Sequence, residues 1–217
     1  MTDIPATAQP APAPAPVDIP CADGVRLRGH FFRAAPGAVP QPLPVLLSPA
    51  TGVRQQFYWH FADWLARQGY DVLVFDYRGI GQSLHGPLAR CDAQLVDWGQ
   101  RDQVAALQWL LARCQAAQAI LVGHSAGGQM LGLLPNHAQV ARLVGVAASS
   151  GWFGGMRLAF ALKARLGLRV LMPLASRWLG YAPTSRIGLG ENLPAAVARQ
   201  WGQWCAAGGY ATNAVRG

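Results

Sequence analysis

Ser125 stands in the run Gly123-His124-Ser125-Ala126-Gly127, after the apolar stretch Ala119-Ile-Leu-Val122 and before a helical pattern from Gln129 to Leu134. A Gly-x-Ser-x-Gly at a strand-to-helix junction makes a tight turn that lifts a serine hydroxyl above the end of a sheet. A serine held this way can attack an acyl carbonyl and form an acyl-enzyme. It needs a base to take its proton and backbone amides to receive the oxyanion.

Candidates for the base and its supporting acid are few. After Ser125 the chain contains no aspartate, one glutamate (Glu191) and one histidine (His137). If the helix runs on from the turn, His137 lies twelve residues along it. That is roughly 18 Å at helical rise, whereas a general base must come within about 3 Å. His124 shares the turn with the nucleophile and should point elsewhere, to packing or a backbone hydrogen bond. Glu191 lies in an arginine-rich region and is expected to cap a helix or pair with an arginine. His85 follows the loop Gly79–Ser83 and is the fallback base, ahead of His60 and His30. No metal-ligand spacing occurs, and no cofactor or metal is expected.

The elements that must position Ser125 repeat one design. Val17–Cys21 and Val25–Phe32 suggest a hairpin. Val45-Leu-Leu47 leads into Ser48-Pro-Ala-Thr-Gly52 and then a helix with Phe57, Phe61, Trp64 and Leu65 on one face. Val72-Leu-Val-Phe75 leads into Asp76-Tyr-Arg-Gly-Ile-Gly-Gln-Ser83. Asp97 is placed to cap a helix carrying Val104, Leu107, Leu111 and Cys114 as a stripe. A further strand is expected at Leu143–Ala147. Strands alternating with amphipathic helices make a mostly parallel sheet covered on both faces, with ligands beyond the strands' carboxyl ends. Gly52, Gly79, Gly81 and Ser125 all fall at such ends.

Three domains of sequence follow. Residues 1–16 are an Ala/Pro-rich tail expected to be extended and mobile. Residues 17–150 form the α/β core, and 151–217 a helical cap region rich in aromatics (Trp152, Phe153, Phe160, Trp178) and broken by prolines. An apolar content of 52% with 13% charged residues fits a globular chain. The net charge of +8 is uneven: ten basic against nine acidic residues up to 150, then eight basic against Glu191 alone. No nucleic-acid-binding signature accompanies it, so nucleic acid is not an expected partner. Arg157, Arg165 and Arg169 at helical spacing read as an arginine-studded cap, with a membrane-surface helix as the rival reading. Four scattered cysteines and no signal-peptide-like N-terminus give a cytoplasmic expectation.

Taken together, these residues resemble the α/β-hydrolase superfamily. Ser48–Val53, Asp76–Ser83, Gly123–Gln129, Gly180-Tyr181 and Gly188–Pro194 look like a bacterial group of esterase- or lipase-like α/β hydrolases. The resemblance implies a small-molecule ester or related acyl substrate, Ser125 as nucleophile, and the Ala126 N–H as one oxyanion donor. The second donor would come from the loop after Val45–Leu47, with Thr51 first choice and Ala50 as backup. It also implies a cap inserted after the sixth strand, and two later strands carrying the triad acid and histidine. Neither group is found in this chain, so it reads as C-terminally truncated, with little triad-dependent activity of its own. The competing reading is a non-catalytic binding protein of the same fold.

Overall fold

The alternation of Val17 to Phe32 closes as a hairpin of two antiparallel strands, β1 (Ala15–Pro20) and β2 (Arg26–Phe32). The Cys21 N–H donates to the Val25 carbonyl at 2.8 Å, and Gly24 turns the chain at φ 85°. This structure, a computed structural model, describes residues 13–209 and residue 212. Most of the Ala/Pro-rich tail, residues 1–12, lies outside them, while Ala15 and Pro16 belong to β1 rather than to a tail.

Beyond the hairpin come β3 (Val45–Ser48), α1 (Trp59–Arg67), β4 (Val72–Phe75), α2 (Leu95–Asp97) and α3 (Gln103–Cys114). A π turn, Trp98–Asp102, joins α2 to α3. Then follow β5 (Ala119–His124), α4 (Ala126–Gln129) and β6 (Val140–Val146). The six strands form one sheet in the order β1-β2-β4-β3-β5-β6. The neighbours β4, β3, β5 and β6 run parallel, and the β1–β2 hairpin adds antiparallel to β4.

Side chains alternate across a strand, so each strand feeds two cores. Leu46, Leu73, Phe75 and Leu121 pack with Leu107, Leu110 and Leu111 of α3 on one face. Val45, Leu47, Val72 and Val74 pack with Tyr58, Ala62, Leu65 and Ala66 on the other. The sandwiching of β3 and β4 explains their unbroken apolar sequences.

Three local expectations are corrected. In α1 only Leu65 of the expected face is buried. Ala62 and Ala66 let the backbone lie close on the sheet, which turns Phe61 and Trp64 outward, where they stack at 6.0 Å. Asp97 is not the cap residue but sits within the first turn, its carboxylate accepting the Gln94 N–H at 2.9 Å. The helix after Ser125 is a single α turn continued by the 3-10 turn Met130–Leu133. Pro135 disfavours helical backbone at Leu134, which is extended.

After β6 the chain becomes helical: α5 (Leu158–Leu166), a π turn (Gly167–Leu171) and α6 (Met172–Leu179) run on without a break. A short antiparallel pair, β7 (Tyr181–Ala182) and β8 (Leu193–Pro194), and α7 (Ala195–Ala207) complete the described elements. Phe153, Ala161, Met172, Val197, Ala198 and Trp204 join the α3-side core, and Gln200 Oε1 accepts the Val96 N–H at 2.8 Å.

Candidate active site

Ser125 occupies the single residue between β5 and α4, with φ 48° and ψ −115°. A side chain at positive φ is strained and persists only where its surroundings over-determine it. They do so here. The Ser125 N–H donates to the Val146 carbonyl at the end of β6 (2.8 Å), and its carbonyl accepts the Gly128 (3.1 Å) and Gln129 (3.3 Å) amides. The flanking glycines permit the bend. A Cβ on Gly123 would stand 2.3 Å from Gly128 Cα, and one on Gly127 would stand 2.2 Å from the Ser48 carbonyl oxygen. The serine is half-buried. Among the described residues, no side chain is hydrogen-bonded to its hydroxyl.

The Ala126 N–H opens the first turn of α4, where no preceding helical carbonyl can receive it. The loop after β3 closes as a turn through the Val53 N–H to the Ala50 carbonyl at 3.1 Å, with Gly52 at φ 70°. Of the two proposed second donors, the Ala50 N–H is already given to Tyr58 Oη at 2.9 Å. Among the described residues, the Thr51 N–H has no acceptor.

Polar side chains lock the loops of this rim to one another. Gln103 Nε2 donates to Ser48 Oγ (2.7 Å) and to the Gly127 carbonyl (2.9 Å), bridging the β3 loop and the elbow from a fully buried position. The Glu191 N–H donates to the Gly52 carbonyl at 2.7 Å, and its carboxylate pairs with Arg54 at 2.7 Å. Tyr58, having accepted the Ala50 amide, can donate its own proton to His124 Nδ1, 2.9 Å away. Burial pushes the Tyr58 hydroxyl up to about 12, against the pull of the Ala50 amide. His124 is thereby engaged away from Ser125, and Phe57 stacks on its ring at 6.3 Å.

The Asp-x-Arg-Gly-x-Gly-x-Ser segment is scaffold. Asp76, fully buried, accepts the Gln55 N–H (2.8 Å), Gln55 Nε2 (2.9 Å) and the Gln82 N–H (2.9 Å). Burial raises its carboxyl above the usual range in spite of these donors. Arg78 is held by Asp102 at 2.6 Å and Asp23 at 2.7 Å, and Ser83 Oγ donates to the Asp76 carbonyl at 2.7 Å.

The remaining histidines lie away from Ser125 or are engaged elsewhere. His85 Nε2 meets the Arg26 carbonyl at 2.6 Å, at the start of β2. Three strand spacings, about 14 Å, separate β2 from β5 in this sheet. His85 lines a cavity of about 460 Å³ with Arg78, Gly79, Ser83, Cys91 and Arg101. His137 Nδ1 contacts the Leu134 carbonyl at 3.0 Å, His30 contacts Gln55, and His60 is exposed on α1. Sequence reasoning missed Gln55 and Gln103. Only Gln103 left a trace, a polar residue beside the apolar stripe of α3.

A mostly parallel sheet with a strained serine at a strand-to-helix bend, glycines on either side of it, defines an α/β hydrolase. The serine aminopeptidase S33 profile (Hydrolase_4) matches residues 45–200, and the chain belongs to that family. YfhR of Escherichia coli K12, an uncharacterised protein, is 27% identical over 115 residues, which cover 52% of this chain and 38% of YfhR. PA2218 of Pseudomonas aeruginosa superposes with a TM-score of 0.62 at 15% identity, covering 93% of this chain and 75% of that one. XC6422 of Xanthomonas campestris, described as an a/b serine hydrolase without lid, gives 0.52 at 20% identity and 64% of each chain. These structures share the fold. The chain thus spans well under half of YfhR and about two thirds of XC6422.

Proposed function

We propose that this chain carries the nucleophile and the oxyanion site of a serine hydrolase acting on a carboxylic ester or related acyl substrate. The observation that carries the reading is the left-handed Ser125, pinned by the Val146 carbonyl with its hydroxyl uncommitted. Nothing in an ordinary helix start requires such strain. In the proposed reaction Ser125 Oγ attacks the acyl carbon, and the Ala126 and Thr51 amides receive the oxyanion. The leaving alcohol departs with a proton, and water then releases the acid.

The acid and the histidine of the triad are proposed to come from polypeptide that packs along β6, the strand next to the nucleophile's own, whose outer edge is unpaired among the described strands. The helices after β6 would then form a cap over the rim, with Glu191 tying it to the oxyanion loop.

The test is labelling of the 217-residue protein with a fluorophosphonate, read by mass spectrometry. Slow modification of Ser125 that exogenous imidazole accelerates, and that Ser125→Ala abolishes, is expected. Residual catalysis without the triad comes from the oxyanion site and binding. Absence of labelling even with imidazole would favour the non-catalytic binding reading.

A further inference from the structure

We propose that the outward face of residues 158–179 is an interfacial helix that seats this protein on an anionic membrane surface. The rod formed by α5, the π turn and α6 is ~33 Å long at helical rise. Its inner side is anchored in the core by Ala161 and Met172, each 5% exposed. The outer side is apolar. Leu158 (74% exposed), Leu162 (55%), Leu166 (54%), Val170 (44%), Leu174 (54%) and Trp178 (86%) recur at every fourth residue.

On an uninterrupted α-helix a four-residue step drifts by about 40°, so five steps would carry such a row to the opposite side. The π turn at Gly167–Leu171 inserts the extra residue that takes back about 100° of this drift. Its cause is local: Pro173 has no N–H to give the preceding turn. The kink therefore keeps six apolar side chains on one face, opposite the buried one. A face of this size left to water marks an interaction surface.

Charge selects the occupant. Lys163 flanks the row on one side and Arg165 and Arg177 on the other, all exposed, with Arg157 and Arg169 close by. No acidic residue occurs between Asp102 and Glu191. A second copy docked by two-fold symmetry would bring these cations against their own counterparts. An anionic bilayer surface instead satisfies the apolar row and the basic flanks together, with Trp178 at the headgroup level. Among the described residues no helix is long and apolar enough to cross a membrane, so the rod would lie on the surface. This inference is independent of the chemistry at Ser125.

Co-sedimentation of the 217-residue protein with phosphatidylcholine vesicles, with and without about 30 mol% phosphatidylglycerol, tests it. Partitioning at least tenfold stronger on the anionic vesicles is expected, and it should weaken as added salt screens the charges. Arg165→Gln with Arg177→Gln should lower anionic binding roughly 25-fold, at about fivefold per charge. Trp178→Ser, at a site too exposed to affect folding, should lower binding to both vesicles and remove a blue-shifted component of the emission. Ser125→Ala should bind like the parent. Binding indifferent to lipid charge, no binding to either vesicle, or a folded Trp178→Ser that binds unchanged would overturn the proposal. So would a dimer in sedimentation equilibrium that Leu166→Glu splits, since a second copy would then own the face.

Discussion

Ser125 holds a backbone conformation that costs about 1–3 kcal/mol for a residue with a side chain, and glycine would carry little of that cost. Ser125→Gly is therefore expected to raise the unfolding midpoint, by about 1 kcal/mol of stability, while abolishing fluorophosphonate labelling. A lowered midpoint would mean that the bend is not strained. Tyr58 offers a second test at this scale. Its hydroxyl receives the Ala50 amide and reaches His124, so Tyr58→Phe leaves a buried N–H without a partner, at about 1–3 kcal/mol. Its pH dependence has a definite sign. The folded hydroxyl is pushed up to about 12 by burial, against an ordinary value of 10.0. The unfolded tyrosine ionises first, so this group's contribution is intact below pH 10 and is lost as pH rises towards 12. Denaturant titrations across that window should show a steeper alkaline decline for the parent than for Tyr58→Phe.

At the scale of elements, the elbow works because α4 lies almost on the β3 loop. Gly127 fills a place where a Cβ would stand 2.2 Å from the Ser48 carbonyl oxygen and 2.8 Å from that of Pro49. Backbone on both sides cannot move away as a flexible side chain could. Gly127→Ala is expected to cost about 3 kcal/mol or more, and to displace the Gln103 bridge along with the turn. Chemical denaturation measures the first effect, and loss of Ser125 labelling in the still-folded fraction reports the second. The strand-and-elbow plan was legible in the sequence because short apolar runs bounded by glycine carry it, each run local in the chain. The face of α1 was misread for an equally physical reason. Bulky aromatics dominate a hydrophobicity pattern, but Ala62 and Ala66 decide how closely the helix can approach. The rim locks were illegible because their partners lie far apart. Gln55 meets Asp76, and Gln103 meets Ser48, across chain separations that no periodicity records.

Over the whole molecule, the described sheet ends on the β1–β2 hairpin at one side and on β6 at the other. The hairpin covers β4, and the cluster of Asp23, Arg78, Asp102 and Arg101 fastens its turn to the helical layer. At the other side β6 is, among the described strands, the edge, and its Leu143, Val144 and Val146 are 43%, 49% and 50% exposed. Residues two apart on a strand face the same way, so Val144 and Val146 present apolar surface on one face and Leu143 on the other. An apolar edge with unpaired backbone groups recruits other strands, and a lysine on it is a common defence. The polypeptide proposed to complete the active site and an aggregating neighbour would thus compete for one edge, in register with the elbow through the bond from Ser125 to Val146. Val144→Lys should suppress concentration-dependent aggregation of the 217-residue protein, seen as a lower scattering-derived mass. Because Ser125 is pinned by the Val146 main chain rather than by the Val144 side chain, labelling with imidazole should persist. Aggregation unchanged by the lysine would place the sticky surface elsewhere, and the outward row on residues 158–179 would then be the next face to charge.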